Sequence, residues 1–334
     1  MAWKPGKKLK GDRYVIERIL GRGRSAITYL AYDDKVKNRL VIKTLSDEVL
    51  LQLQQDPNAI VKLQDKLFQE AKKLSDCKHR HVVRCLGDPF REREGNQERV
   101  CVPMEYIAGV DLASLPQKPL SETDALHYIR QIGEALICVH SQGVLHRDIK
   151  PENILVRHGS KDAVLIDFDL ARETDMPLSS RRDISDGFAP LELYLTSLPL
   201  DARSDVYSLA ATLYYLVTGE IPPSAEKRQV NPSQNLLVEP KNLNSNLSDR
   251  LNKAILHGMA LEPGARPDTI EVLLKELGIR GGLSVSTLKS KWMVIVGIVG
   301  FLAALAGALN DGTDVIEKWF SPKEATPPSI EVEE

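Results

Sequence analysis

One polar segment in the middle of the chain reads His146-Arg147-Asp148-Ile149-Lys150-Pro151-Glu152-Asn153. It follows a helical pattern over 125–140 and a turn at 141–143, and it precedes a short β-branched strand at 154–156. An acid, a lysine and an amide therefore lie on one loop between a helix and a strand. Such a carboxylate can accept the proton of an attacking hydroxyl, the lysine can neutralise charge on a moving phosphoryl group, and the amide oxygen can bind Mg²⁺. The loop thus indicates phosphoryl-transfer chemistry.

All eight positions resemble the catalytic loop of eukaryotic-type (Hanks-type) serine/threonine protein kinases. By this resemblance, Asp148 is the base or orients the hydroxyl, Lys150 steadies the phosphoryl group, and Asn153 is a ligand of Mg²⁺. The simpler alternative is a basic surface loop with an incidental Asp, because a motif can match by chance outside its context. The rest of the chain should therefore supply the other kinase motifs in order.

The composition is that of an ordinary globular protein. The 334 residues are 43% hydrophobic and 27% charged, which allows a sizeable core. The 44 basic and 46 acidic residues leave a net charge of −2, which argues against a nucleic-acid partner. The four cysteines have no CxxC spacing, so we expect reduced thiols in a cytosolic compartment and neither a disulfide nor a zinc site: Cys77, Cys85, Cys101 and Cys138.

A glycine-tipped hairpin is predicted near the start of the chain. Segments 14–20 and 27–32 read as strands around the glycines. Glycine lets the backbone approach phosphates closely, although most hairpins of this kind are only turns. The hairpin is similar to the kinase Gly-rich loop, with Ala26 in place of the third Gly and Thr28 in place of the Val. By resemblance, this part of the ATP site comprises Leu20, Gly21, Arg22, Gly23, Ala26 and Thr28.

The apolar strand Leu40-Val41-Ile42-Lys43 ends in a lysine. It looks like the VAIK strand of the kinase family, which implies that Val41 covers adenine and Lys43 contacts the α- and β-phosphates. Helical periodicity over 47–76 follows and is broken by one proline, so we expect an extra helix before the main one. By resemblance, Glu70 on the main helix forms an ion pair with Lys43.

Two further strands are predicted at 82–86 and 99–102, joined by a charged loop over 91–98. Residues 103–109 then look like the hinge of a kinase. The hinge marks the boundary between a small β-rich lobe and a larger helical lobe.

The hinge residues complete the ATP site that the resemblance implies. Met104 is the gatekeeper, and backbone groups of Glu105 and Ile107 bind adenine, so we expect these two side chains to be poorly constrained. Asp111 reaches the ribose or solvent.

A strand after the catalytic loop ends at Asp167-Phe168-Asp169. The motif resembles the kinase DFG motif and departs from it at the last position. By resemblance, Asp167 is the second Mg²⁺ ligand, and Phe168 packs between Leu74 and His146. Asp169 makes backbone states with positive φ less accessible than Gly would, and this puts the activity in some doubt without removing a catalytic group.

The activation segment of this family corresponds to 172–185. Its candidate phosphorylation sites are Thr174, Ser179, Ser180 and Ser185, and Arg147 is the expected partner of a phosphate there.

Two acidic residues downstream have roles that the resemblance implies. Glu192 corresponds to the glutamate of the family's APE motif, whose other positions differ here, and it should pair with Arg266. Asp205 fits both an N-terminal capping role in a strongly apolar helix and the role of the buried Asp that braces the catalytic loop in this family.

These motifs predict an α+β, bilobal protein kinase fold over 14–278. The N-lobe covers 14–106, the hinge 103–109 and the C-lobe 110–278. Residues 279–291 read as a juxtamembrane linker, 292–309 as a transmembrane helix, and 310–334 as a short, disordered tail.

The predicted anchor is an uncharged run of 18 residues, Trp292 to Leu309. A membrane-spanning helix needs about 20 apolar residues. Lys289 and Lys291 precede the run and acidic residues follow it, so the kinase domain should be cytoplasmic and the protein a single-pass protein of the cell membrane. The alternative is a buried core helix, although the kinase core is complete without it.

The sequence therefore predicts a membrane-tethered serine/threonine protein kinase, of a bacterial type, that uses ATP and Mg²⁺. Its partners would be protein substrates with Ser or Thr acceptors, the membrane, and a second copy of the chain for autophosphorylation. Two alternatives stay open: a pseudokinase scaffold, which Ala26, Asp169 and the altered APE motif favour, and a kinase for a small molecule.

Overall fold

The computed structural model describes residues 2–23, 26–95, 97–168, 187–195, 198, 200–231, 233–234 and 236–279. The chain divides after Gly281, and the described residues belong to the first unit. The predictions for Asp169, the activation segment, the helix at 292–309 and the tail lie outside the described residues. Within the described ranges, no helix is both long and apolar enough to cross a membrane.

A sheet forms the first lobe. In the described residues its six strands are antiparallel neighbours in the order β1-β2-β3-β4-β6-β5. The strands are β1 Lys8–Leu9, β2 Tyr14–Arg22, β3 Ala26–Asp33, β4 Asn38–Leu45, β5 Phe90–Glu94 and β6 Gln97–Glu105. Alternating apolar residues of the strands point to one side and form the core of this lobe, as the two-residue period requires. They include Tyr14, Ile16, Tyr29, Ala31, Leu40 and Ile42.

Two helices follow β4, as the broken periodicity predicted. Helix α1 spans Asp47–Gln52, and the Ser46 side chain accepts a hydrogen bond from its first turn. Helix α2 spans Pro57–Asp76 and begins at the proline, with Asp56 as its N-cap. Proline is favoured at the first helical position because its missing N–H would have no partner there.

The predicted loop over 91–98 is wrong. Most of its residues belong to β5 and β6, which form a hairpin around Gly95. Arg91 Nη1 lies 2.8 Å from Glu98 Oε2 across the hairpin, so opposite charges on facing strands stabilise a segment whose composition indicated a loop. The predicted strand at 82–86 is an extended segment that makes isolated bridges to Leu165 and Met104.

The second lobe is mainly helical. Its helices are α3 Glu122–Ser141, α4 Ala202–Thr218, α5 Ala225–Val230, α6 Pro240–Leu243, α7 Asp249–Gly258 and α8 Ile270–Glu276. A small sheet at its upper edge consists of β7 Gly109–Asp111, β8 Ile154–Arg157 and β9 Ala163–Leu165. Helix α4 is buried along nearly its whole length and forms the centre of this lobe. The predicted two-lobed α+β arrangement is confirmed.

The residues before β2 also belong to the first lobe, which the motif pattern did not indicate. Trp3 is 3% exposed and packs against Tyr29, with 5.3 Å between the ring centroids. Its indole Nε1 donates to Glu94 at 2.9 Å. The guanidinium of buried Arg99 lies 5.8 Å from the Trp3 ring. This segment therefore closes one end of the sheet's core.

The prediction of four reduced cysteines is wrong for two of them. Cys77, at the end of α2, forms a disulfide with Cys138 of α3. The sequence spacing of 61 residues could not show that the two helices bring these side chains together. Cys85 and Cys101 are free thiols, and burial raises the pKa of Cys85 to about 11, so it is an unreactive thiol.

We expect the disulfide to stabilise the fold. Cys77→Ser should lower the free energy of unfolding by about 2–4 kcal/mol under non-reducing conditions, because a bond that closes a long loop restricts the unfolded chain. Reductant should destabilise the wild type by a similar amount and leave Cys77→Ser unchanged. Thermal unfolding with and without reductant measures both, and Cys85→Ser, which keeps the disulfide, is the control. A wild-type mass that shows four thiols would contradict the assignment.

Candidate active site

The catalytic loop between α3 and β8 is held by Asp205 of α4. The backbone N–H groups of His146 and Arg147 each donate to its carboxylate at 2.9 Å, and His140 Nε2 lies 2.7 Å from it. Arg147 has a φ of 66°, a conformation that is costly for a side-chain-bearing residue and that these bonds maintain. The bracing role of Asp205 is confirmed, whereas the cap of α4 is Asp201.

The three polar groups of the loop converge on one carboxylate. Lys150 Nζ lies 2.8 Å from Asp148 Oδ2. Asn153 Nδ2 donates to the same oxygen at 2.8 Å and to the Asp148 carbonyl at 2.7 Å. The donor end of the Asn153 amide therefore faces Asp148, which directs its acceptor oxygen away from that residue. This arrangement orients the carboxylate on which an attacking hydroxyl would depend.

Lys43 connects the sheet to the segment after β9. Its Nζ lies 2.6 Å from Asp167 Oδ1 and 2.6 Å from the Phe168 carbonyl. Desolvation would raise the pKa of the Asp167 carboxyl, but the charge and hydrogen bond of Lys43, together with the charges of His146 and Lys150, lower it overall. Asp167 is therefore an ionised carboxylate at neutral pH. Its backbone has a φ of 62°.

The predicted ion pair between Lys43 and Glu70 is not found among the described residues. Glu70 Oε1 instead lies 3.8 Å from Arg147 Nη2 of the catalytic loop. The single Lys43 ammonium already contacts a carboxylate and a carbonyl on the far side of the cleft. The order of the motifs predicted that Glu70 lies on α2, and it does. Which cation Glu70 contacts depends on how α2 packs against the rest of the protein.

Phe168 and His146 form an apolar contact beneath the site. Both side chains are fully buried, and their ring centroids are 4.5 Å apart. His146 Nε2 lies 2.9 Å from the Ile166 carbonyl, and burial lowers the pKa of this imidazole, so it is neutral. The predicted contact of Phe168 with His146 is confirmed, and Leu74 belongs to the same core cluster.

The sheet register places the predicted ATP-site residues of four strands on one face. Thr28 is directly opposite both Gly21 and Lys43, and Val41 is directly opposite Met104. Opposite residues of an antiparallel pair share a face, so these side chains line one wall of the cleft. Gly23 donates its N–H to the Ala26 carbonyl at 2.9 Å, and this bond closes the hairpin beside Leu20 and Arg22.

The hinge residues that were predicted to line the ATP site differ in their burial and in their hydrogen bonds. Met104 and Ile107 are buried. The Glu105 N–H donates to the Arg84 carbonyl at 2.8 Å, so this N–H is not available to adenine. The Asp111 carboxylate accepts bonds from the Ser114 backbone at 2.7 Å and its hydroxyl at 2.8 Å, a local cap that sequence reasoning missed.

The side chains of Asn153 and Asp167 are suitable ligands for Mg²⁺. The Ile166 N–H donates to the Asn153 carbonyl at 2.9 Å, and this backbone bond brings Asn153 next to the ionised Asp167. An amide oxygen and a carboxylate are ligands that Mg²⁺ prefers, with phosphate oxygens and water completing the shell. Within the described residues, no cluster of three or more His, Cys, Asp or Glu could hold a metal by itself.

A buried ion pair supports the lobe below the site. Arg266 Nη1 and Nη2 lie 2.7 and 3.0 Å from the two oxygens of Glu192, and both side chains are essentially unexposed. The Ser204 hydroxyl also donates to Glu192 at 2.8 Å, a partner that motif reasoning missed. Arg266 donates further to the carbonyls of Ala260 and Leu261. The predicted pair is confirmed.

The two lobes, the cleft and the oriented Asp148 define a phosphotransferase-like scaffold of the kinase class. A model described as protein kinase domain matches residues 14–276, and the chain belongs to that family. Members of the family use ATP and Mg²⁺ for phosphoryl transfer.

Bacterial serine/threonine-protein kinases are among the relatives. PknE of Mycobacterium tuberculosis is 32% identical over 261 residues, which are 76% of this chain and 43% of PknE. Kinase D of Synechocystis sp. is 30% identical over 276 residues, 80% of this chain and 52% of that protein. Pkn3 of Myxococcus xanthus is 28% identical over 281 residues, 79% and 49% respectively. The aligned region thus spans about half or less of each of these curated relatives.

Solved kinase structures show the same fold. The apo form of PpkA-294 matches with a TM-score of 0.65 at 24% identity, covering 83% of this chain and 99% of that chain. The kinase domain of M. tuberculosis PknI matches with a TM-score of 0.62 at 21% identity, covering 83% and 99%. These likenesses support the two-lobed kinase fold.

We expect the Glu192–Arg266 pair to be essential for stability. Arg266→Met should lower the free energy of unfolding by about 3–5 kcal/mol, because it leaves the Glu192 carboxylate buried without its cation. Urea unfolding gives the value. The control Arg130→Met removes a half-buried pair with Glu134 within one helix and should cost less than about 1 kcal/mol. Equal losses in the two variants would contradict this account.

Proposed function

We propose that the protein is an ATP-dependent protein serine/threonine kinase. The observation that carries the proposal is the convergence of Lys150 and Asn153 on Asp148, opposite an ionised Asp167 that Lys43 holds. Family membership and the bacterial relatives support the same reaction. These contacts involve the acid, the lysines and the metal carboxylate that phosphoryl transfer to a hydroxyl uses, although Lys43 is paired with Asp167 and not with Glu70.

Each residue of the cleft has its own role in the proposed reaction. Asp148 orients the substrate hydroxyl and accepts its proton as the bond to phosphorus forms. Lys150 lies beside this carboxylate and would offset negative charge on the moving group, and Lys43 would position the α- and β-phosphates. Bound Mg²⁺ would supply charge neutralisation between the β- and γ-phosphates, with Asn153 and Asp167 as its protein ligands.

Two variants test the reaction in the full chain with labelled ATP, Mg²⁺ and a Ser/Thr-containing protein acceptor. Asp148→Ala should reduce transfer by about 100-fold or more, because the hydroxyl loses its base. Asp167→Ala should abolish it, because the metal loses its carboxylate. Asp162→Ala, which removes an exposed carboxylate paired with Arg80, is the control and should keep full activity.

The outcomes separate the alternatives. Full activity of Asp167→Ala would remove the metal assignment. An inactive wild type that still binds nucleotide would identify a scaffold instead of an enzyme.

We further propose that residues 292–309 anchor the kinase in the cell membrane, with the kinase domain in the cytoplasm. The uncharged run, the preceding Lys289 and Lys291 and the acidic residues after it support this orientation. Attachment to a surface would raise the local concentration of a second copy, which would favour autophosphorylation between copies.

The anchor is tested by fractionation of the full chain. Wild type should sediment with membranes and resist a high-salt wash. The pair Val299→Arg and Ala303→Arg should weaken insertion, because each mid-span arginine costs about 2.5–3.5 kcal/mol on insertion scales. Val299→Leu with Ala303→Leu is the matched control and should stay in the membrane. Wild-type protein that salt extracts would contradict the anchor, and external protease that cleaves the kinase domain of intact cells would reverse the orientation.

A further inference from the structure

The Glu105 side chain at the hinge makes contacts that an adenine-binding backbone does not need. The side chain is only 12% exposed. Its Oε2 accepts a hydrogen bond from Arg84 Nε at 2.9 Å, and its Oε1 lies 2.9 Å from Arg157 Nη2. Each carboxylate oxygen therefore has its own arginine, and the expectation of a poorly constrained side chain is wrong.

The two arginines belong to different lobes. The Arg84 carbonyl accepts the Glu105 N–H at 2.8 Å, which ties this segment to β6 of the first lobe. Arg157 ends β8 of the second lobe and is paired with Gly109, where the hinge ends. The Glu105 carboxylate thus bridges the two lobes across the hinge to which it belongs.

The low exposure of the carboxylate and its two separate partners distinguish this bridge from an ordinary surface ion pair, although the Arg84 side chain is 66% exposed. Surface pairs contribute little when both side chains move freely in water. Here desolvation would raise the pKa of the Glu105 carboxyl, but the two arginines more than offset it and lower the pKa. With both oxygens engaged, the carboxylate has one orientation, and that orientation fixes the main chain that carries it.

We propose that Glu105 is a positioning residue that fixes the hinge by bridging Arg84 and Arg157, and that it thereby holds the adenine-binding main chain at 105–107. It acts through the backbone and does not touch the transferred group. Its effect on ATP rests on the proposed kinase function, whereas its effect on hinge geometry does not.

The test uses Glu105→Gln in the full chain, which keeps the size of the side chain and removes its charge. Hydrogen exchange of the hinge amides at 104–109, measured without nucleotide, should become about 3- to 10-fold faster. The KM for ATP should rise by about 3- to 10-fold while kcat stays within about twofold, because binding is weakened equally before and during the reaction.

A double-mutant cycle and a control make the test specific. Arg157→Met should reproduce most of the effect, and adding it to Glu105→Gln should change little more, since both remove one bridge. Arg39→Met removes an ion pair with Glu17 that lies within the first lobe, and Arg39 is about as exposed as Arg84. This control should leave hinge exchange and KM unchanged.

Any one of three results would overturn the bridge. The hinge amides of Glu105→Gln could exchange at the wild-type rate, or the effects of Glu105→Gln and Arg157→Met could add in the double mutant. Arg39→Met could also change hinge exchange and the KM for ATP as much as Glu105→Gln does. If the wild type transfers no phosphate, the proposed function fails, but hinge exchange still decides whether Glu105 fixes the hinge.

Discussion

The carboxylate of Asp205 is the constraint on which the catalytic loop depends. It is completely buried and accepts from the backbone of His146 and Arg147 and contacts His140. Desolvation alone would raise its pKa, yet these donors lower it below the usual 3.8. A carboxylate whose pKa is lowered on folding contributes stability above its unfolded pKa, and the contribution is lost as the pH falls through the folded pKa. The loop that orients Asp148 is therefore held in place by a buried, ionised carboxylate.

The lobes meet above this loop through ionic contacts, through the Cys77–Cys138 disulfide and through a shared apolar cluster. Lys43 reaches Asp167, and Glu70 approaches Arg147. The shared cluster contains Leu74 of α2 and Leu136 of α3, so apolar packing as well as charge joins the two lobes.

Local pattern predicted the elements that have strong local causes. The proline and its capping Asp56 fix the break before α2, and the charged partners Glu192 and Arg266 are recognisable because both lie in motifs. The hairpin of β5 and β6 was missed because cross-strand charge pairs resemble a solvated loop in composition. The Cys77–Cys138 bond and the partners of Glu70 and Glu105 depend on how distant elements pack, which no window of sequence reports.

The packing of Trp3 has a consequence for where the folded unit begins. The recognisable family pattern starts at Tyr14, but the indole covers Tyr29 and lies over the guanidinium of Arg99. A fragment cut at the edge of the pattern would expose an aromatic surface and leave the buried Arg99 without the ring that covers it. The family pattern therefore begins at Tyr14, whereas the packed core of the first lobe already includes Trp3.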